Sequence, residues 1–285
     1  MIQALADFCK LRYAADLRTL CYMVLATLLL VVQWSYGFHP ILFILSLFMA
    51  IAVAVIAHNH NHVPTFTKKM LNTAMDYWIT LLYGFPAFAW IPTHNRNHHA
   101  LNNREGDHTI TYRISEQNNL LTLLVYPTIS AFYQQRAIAA YLKDIWQRNP
   151  ARFWESVLQY VALAVFVGGA LILDWRKAVL FVIVPQQVAL YCIMLFNYVQ
   201  HVHADEESEW NHSRNFVGKL LNALLFNNGF HTIHHERAYL HWSQTPEAHR
   251  AIEHKIDPML NERSFWWYMI RVYVLALVFP RFATR

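Results

Sequence analysis

The stretch Thr19–Thr67, TLCYMVLATLLLVVQWSYGFHPILFILSLFMAIAVAVIAHNHNHVPTFT, runs for 49 residues without an Asp, Glu, Lys or Arg. Its apolar residues fall in two runs, about 20–36 and 38–57, parted at Gly37 with Pro40 just beyond. A helix needs about 20 apolar residues to cross the hydrocarbon core of a bilayer. The two runs therefore predict a tight transmembrane hairpin. A cleaved signal peptide would account for the first run alone, but the second follows at once with no small-residue cleavage site between them.

A second pair of runs follows. Ser156–Leu173 and Ala178–Gln200 are free of charge and separated by Asp174, Trp175, Arg176 and Lys177, so spans are expected at about 155–173 and 178–200. Tyr77–Asn95 and Gln117–Gln135 are also uncharged. The first is broken by Gly84, Pro86 and Pro92 and the second is flanked by amides, so both are expected as helices in the interface or packed on the hairpins. With two hairpins, residues 1–19, 58–153 and 201–285 share one side and carry three, nine and nine of the 23 Lys and Arg. The other side keeps Arg176 and Lys177. Basic residues favour the cytoplasmic side. The expectation is an all-α integral membrane protein, one domain over 1–285, with four transmembrane helices in two hairpins and a cytoplasmic helical cap.

Composition agrees. A chain of 285 residues would suit about two soluble domains, but charged residues make up 14% and aromatic residues 15%, with ten Trp. Such a chain is not disordered, collagen-like or an ordinary cytosolic globule. The mean hydropathy of +0.19 is nevertheless modest, so something polar balances the apolar runs, and 17 His are the first sign of it. Cys9, Cys21 and Cys192 form no CxxC pair, which argues against an iron–sulfur site, a zinc ribbon or a disulfide framework. The net charge of +5 fits membrane orientation better than nucleic-acid binding, because its residues sort by side.

All histidines except His39 fall in the segments expected to be cytoplasmic, many just past the end of a span. HNHNH sets His58 and His62 at i,i+4, one helical face. HNRNHH sets His94 and His98 at i,i+4 with His99 beside them. NYVQH sets Asn197 and His201 at i,i+4 where the fourth span ends. HTIHH sets His231, His234 and His235 at i, i+3 and i+4. A lone interfacial His is usually just a satisfied side chain. Four groups at ligand spacing on one side of a membrane are not, and nine imidazoles exceed what one ion can hold. Imidazole suits Fe, Zn, Cu and Ni alike. HExxH and HxxEH are both absent, and no Glu-x-x-His pair of a carboxylate-bridged bundle occurs among the groups.

The HxxxH, HxxxHH and HxxHH groups, in this order and with hairpins before the first and between the second and third, resemble the histidine boxes of integral-membrane fatty acid desaturases and their hydroxylase relatives. Asn197–His201 is similar to a further Asn-x-x-x-His element of acyl desaturases. The resemblance spans about residues 20–245. It implies two iron ions and dioxygen as co-substrate at the cytoplasmic face. The implied metal set is His58, His62, His94, His98, His99, His201, His231, His234 and His235, with Asn197 near one iron through a water. His60 and His203 are offset from these faces. The short segment from the second box to Thr109 and the acidic HADEESEW stretch are departures without an assigned role.

An unactivated C–H bond offers neither an acidic proton nor an electrophile, which suits dioxygen chemistry at a metal pair and not side-chain acid–base work. Asp107 is the best candidate to support a ligand from behind, with His241, His212 and His108 as further candidates. An acyl or lipid substrate would enter from the membrane, past aromatic side chains such as Phe38, Phe43, Phe48, Trp78, Phe85 and Phe88. Trp266, Trp267 and Tyr268 are expected as an interfacial belt near Arg271. No His-Pro-Gly-Gly haem motif, cysteine cluster or GxGxxG loop occurs, so a separate ferredoxin-like or cytochrome-like electron donor is expected, steered by Arg96, Arg104, Arg113, Arg214 and Arg237. The His spacing serves desaturation and lipid, alkane or carotenoid hydroxylation or ketolation equally. A metal-binding membrane sensor or transporter with no redox turnover would place polar or ionisable residues inside the spans as a pathway, and these spans hold residues such as Gln33, Gln186, Gln187 and Asn197 but no charge.

Overall fold

A computed structural model describes residues 2–284. The chain is helical almost throughout. In order it forms α1 (Ile2–Phe8), α2 (Leu17–Tyr36), α3 (Pro40–His62), α4 (Lys69–Tyr83), a π-helix (Ile91–His98) that runs into the short α5 (His99–Leu101), α6 (Leu120–Arg148), α7 (Pro150–Ala178) and α8 (Val184–His201). Then come β1 (Asn215–Phe216), α9 (Lys219–Leu224), α10 (His231–Glu236), α11 (Thr245–Ile252), β2 (Asn261–Glu262) and α12 (Phe265–Tyr273), with β1 and β2 pairing in parallel. Among the described residues, three helical runs are long and apolar enough to cross a membrane: Ala14–Tyr36, Pro40–His62 and the 52 residues Pro150–His201.

The chain forms two compact units, Met1–Pro92 with Ile138–Ile193, and Thr93–Ala137 with Met194–Arg285. In the first, α2 stops at Gly37, whose φ of +92° disfavours any side chain, and α3 restarts with Pro40 at its first position, where a missing N–H costs nothing. Gln33 crosses between the two helices, donating to Ser46 Oγ at 2.7 Å. Ala52, Ala54 and Ala57 of α3 are fully buried, the small-residue packing that lets apolar helices approach closely.

The longest run is not one rod. At 1.5 Å per residue it would reach roughly 78 Å, over twice a bilayer core, but Asp174 leaves helical geometry at φ −160°, ψ 98°. Its carboxylate accepts from the backbone N–H groups of Arg176 and Lys177, capping the helix that restarts there. Lys177 Nζ donates to the Trp34 carbonyl at 2.7 Å.

The uncharged 77–95 segment is not a single interfacial helix. α4 ends at Gly84, at φ +83°, where a Cβ would stand 2.5 Å from Gln186. Beyond it Gln159 Oε1 accepts from Phe88 N at 3.1 Å and Thr80 Oγ1 from Ala87 N at 3.0 Å, so side chains replace the broken helical ladder.

In the second unit, Phe216, Tyr268 and Tyr273 are buried, and Phe216 meets Tyr268 edge-on with ring centroids 5.4 Å apart. Of the three residues expected as a belt, Tyr268 does not face outward. Trp266 and Trp267 are 52% and 49% exposed, whereas the next 100° of helix turns Tyr268 inward. Arg214 is only 3% exposed. Its guanidinium donates to the carbonyls of Val199 and Val202 at 3.0 and 2.9 Å, satisfying the C-terminal end of α8. This removes it from the expected docking residues.

Candidate metal centre

The second unit gathers seven of the sequence-identified histidines. The π-helix Ile91–His98 decides how they sort, because an i→i+5 winding changes which positions share a face. His94 Nε2 lies 3.1 Å from His99 Nε2, which lies 3.0 Å from His234 Nε2. His98 joins a different group: its Nε2 is 3.1 Å from His201 Nε2, His201 Nε2 is 2.8 Å from His231 Nε2, and His231 Nε2 is 3.2 Å from His235 Nε2. In each group the available ring nitrogens lie within 4.8 Å of one another. The i,i+4 pairing expected of His94 and His98 is thus replaced by His94 with His99. In α10 the pairing is α-helical, so His231 and His235 share one group and His234 turns to the other. The consecutive pairs His98–His99 and His234–His235 join the groups, and the His99 and His235 rings stack with centroids 4.3 Å apart.

In the first unit His58 and His62 occupy the last turn of α3, their rings edge-on at 5.0 Å, with His58 also 5.3 Å from the Trp90 ring. His60 faces away from them, Nδ1 2.8 Å from Thr65 Oγ1 and Nε2 3.5 Å from Asp76.

Hydrogen-bond chemistry shows that the four-histidine group fits a metal. Asp107 is fully buried, and its Oδ2 lies 2.8 Å from His98 Nδ1. Burial alone would favour the neutral acid, but the adjoining His98 and the bonds from Thr109 hold the Asp107 carboxyl well below its ordinary range. Asp107 accepts the Nδ1 proton of His98, which turns His98 Nε2 toward the group. His201 Nδ1 faces the His212 carbonyl at 3.3 Å, which assigns its proton to Nδ1 as well. The Nε2 atoms of His98 and His201 face each other at 3.1 Å, and with both rings neutral the two lone pairs would meet, an arrangement that a cation relieves. Burial, and then the neighbouring His99, push the His235 imidazolium well below its usual range, leaving a neutral ring as ligation requires.

Asp107 is held from several directions. Its Oδ2 also accepts from Asn103 N at 2.9 Å, and its Oδ1 accepts from Thr109 N and Thr109 Oγ1, each at 2.7 Å. Asn102 and Asn103 adopt positive φ, 49° and 67°, a conformation Asn tolerates, and the turn brings Asp107 back beneath His98. His212 is buried, its ring lowered to about 4 by burial and then His98, with Nε2 3.4 Å from Glu236. His108 gives its backbone N–H to Asn97 Oδ1 at 2.8 Å. His241 caps the turn Trp242–Gln244, its side chain accepting from Ser243 N. Asn197 Nδ2 donates to the Tyr126 hydroxyl at 2.6 Å. Thr109, Asn103 and Tyr126 carry no motif, and sequence reasoning passed over all three.

The sequence profile of the fatty acid desaturase family matches residues 33–267, and the chain belongs to that family. Comparison with curated proteins and with solved structures found no match. The chain is thus a membrane oxidoreductase of a lipid-acting, iron-binding family, with two histidine groups able to hold metal.

Proposed function

We propose that this protein is a membrane-bound di-iron acyl desaturase that consumes dioxygen. The observation that supports it best is the approach of His98 Nε2 to His201 Nε2 at 3.1 Å, one ligand from the second histidine box and one from the Asn-x-x-x-His element of acyl desaturases. In this reading His98, His201, His231 and His235 hold one iron. His94, His99 and His234 hold the other, and the family resemblance adds His58 and His62 to the metal set. When bound, the iron pair supplies the activation of dioxygen through which hydrogen is taken from an unactivated C–H bond.

The chain's own residues do the rest. Asp107 fixes the tautomer and ring orientation of His98, a role that carboxylates behind ligating imidazoles commonly fill. The His212 carbonyl does the same for His201. Asn197, one turn before His201, stands near the same iron through a water.

Four spans, with Asp174 at the turn between the third and fourth, place both termini and the histidines on the cytoplasmic side by the Lys and Arg distribution. The acyl substrate comes from the membrane, and electrons come from a ferredoxin-like or cytochrome-like donor protein. Mass spectrometry of lipids from a host expressing the protein tests the reaction. An acyl product lighter by two hydrogens supports desaturation; one heavier by an oxygen replaces it with hydroxylation.

A further inference from the structure

The Tyr126 hydroxyl stands at a junction that the histidine pattern does not explain. Tyr126 lies in α6 and is buried. A tyrosine hydroxyl has a single proton to donate. That proton is committed, because the hydroxyl lies 2.5 Å from the Thr109 carbonyl, which can only accept. The hydroxyl oxygen must then be the acceptor toward Asn197 at 2.6 Å, and the Asn197 atom facing it must be Nδ2. An Asn amide is otherwise free to present either end. Here one end is taken, and Oδ1 is left as the outward end on the helical face that also carries His201.

Thr109 reaches both sides of the centre. Its carbonyl accepts from Tyr126, while its N–H and hydroxyl both donate to Asp107 Oδ1. Asp107 Oδ2 in turn takes the His98 Nδ1 proton. One threonine thus ties the orientation of His98 to that of Asn197 through a continuous line of buried hydrogen bonds.

We propose that Tyr126 is a positioning residue of the metal centre, whose hydroxyl locks the Asn197 amide with its oxygen available as an acceptor or ligand atom. The proposal rests on the reading that Asn197 acts at the metal. Removing the hydroxyl in Tyr126→Phe leaves the ring in place and the nine histidines intact, but frees the amide to turn.

The test uses the full-length protein loaded with cobalt(II), whose visible spectrum reports ligand geometry independently of turnover, beside the iron-loaded enzyme. Tyr126→Phe, Asn197→Ala and the double variant are compared. All three should keep the wild-type metal content. Tyr126→Phe and Asn197→Ala should move the cobalt bands in the same direction and lower kcat about 10-fold each, the scale of lost support to a ligand, with KM for the acyl substrate unchanged. The double variant should match Asn197→Ala alone, because the hydroxyl acts through that amide. Fluorination of the Tyr126 ring, which weakens the hydroxyl as an acceptor, should give a smaller shift in the same direction. A cobalt spectrum that moves in Asn197→Ala and stays at wild type in Tyr126→Phe overturns the positioning role alone. A spectrum unmoved by Asn197→Ala overturns the reading of Asn197 as well. Effects that multiply in the double variant, or loss of metal on removing the hydroxyl, give Tyr126 a general structural role and also overturn the proposal.

Discussion

His94 and His99 stand five residues apart, and their Nε2 atoms approach to 3.1 Å. Five α-helical residues would turn them about 140° apart; the wider turn of the π-helix over Ile91–His98 narrows that offset. The register of this segment, more than its count of histidines, sorts His98 from His99. Deleting Arg96 keeps every histidine and draws the segment toward an α-helix. The deletion variant should bind fewer than half the metal ions of the wild type by elemental analysis of purified protein. Full metal content with an unchanged cobalt spectrum would show that the winding is incidental.

The contrast between Asp107 and Thr109 shows what could be read in advance. Charge-free runs and imidazole spacing announced the apolar helices and the histidine groups, because both depend on residue type at short range. Asp107 stood out as a carboxylate near a histidine box. Thr109 and Tyr126 did not, since each acts through a backbone carbonyl or a hydroxyl whose partner is set by a turn at Asn102 and Asn103. The pairing of His94 with His99 was also illegible: sequence spacing presumes an α-helix, and a π-helix follows from local packing. Arg214 misled for a related reason, as a basic residue in a polar segment that turned out to satisfy the carbonyls of Val199 and Val202.

Asp107→Asn tests the support behind His98. The amide is nearly the same size but lacks the charge that holds the His98 proton on Nδ1, across a contact of 2.8 Å in a fully buried site. Metal affinity should fall about 10–100-fold, measured by competition with a chelator of known affinity. Asp107→Glu should not restore it, because its longer arm cannot keep the bonds from Asn103 and Thr109 at once. Affinity equal to the wild type in Asp107→Asn would leave the carboxylate without a role at the metal.

Single cysteines test the four-span arrangement, in a background from which Cys9, Cys21 and Cys192 have been replaced. Positions 104 and 208 should react with an impermeant maleimide from the cytoplasmic side, and positions 37 and 175 from the other. The motive is that 21 of the 23 Lys and Arg lie in segments assigned to one side. Labelling of 104 and 208 from opposite faces would exclude the arrangement.

His249 in α11 is 2% exposed, packs 5.0 Å from the Phe230 ring, and has no hydrogen-bond partner at either ring nitrogen among the described residues. Burial lowers its proton affinity below the ordinary 6.5, with Glu253 opposing in part. The unfolded chain then binds a proton that the folded protein resists. The stability is therefore fully present above about pH 6.5 and is lost as pH falls below it toward the lowered value of the folded state. His249→Leu removes both the orphaned polar atoms and the titration. Its melting temperature should exceed that of the wild type, by a margin that widens from pH 7 to pH 5. A constant margin across that range would separate His249 from the acid sensitivity.

The docking of the electron donor is the last expectation. Arg96, Arg104 and Arg237 are exposed around the histidine-bearing unit. Arg104 reaches Glu207 at 3.8 Å, a surface pair of small net stabilisation that a partner could displace. Arg113 is more committed, stacked 3.9 Å over the Tyr133 ring and donating to the Asp107 carbonyl. This leaves Arg237 as the cleanest probe of steering toward an acidic donor. Attraction between exposed charges reaches about 8 Å at physiological salt and shrinks as salt rises, and it acts mainly on encounter rates. With donor below saturation, turnover should fall as ionic strength increases. Arg237→Glu should slow it several-fold further while leaving turnover at saturating donor near the wild-type value. A rate indifferent to both salt and charge reversal would move docking off this face, and the exposed carboxylates Asp205, Glu207 and Glu209 would then be the place to test a basic donor.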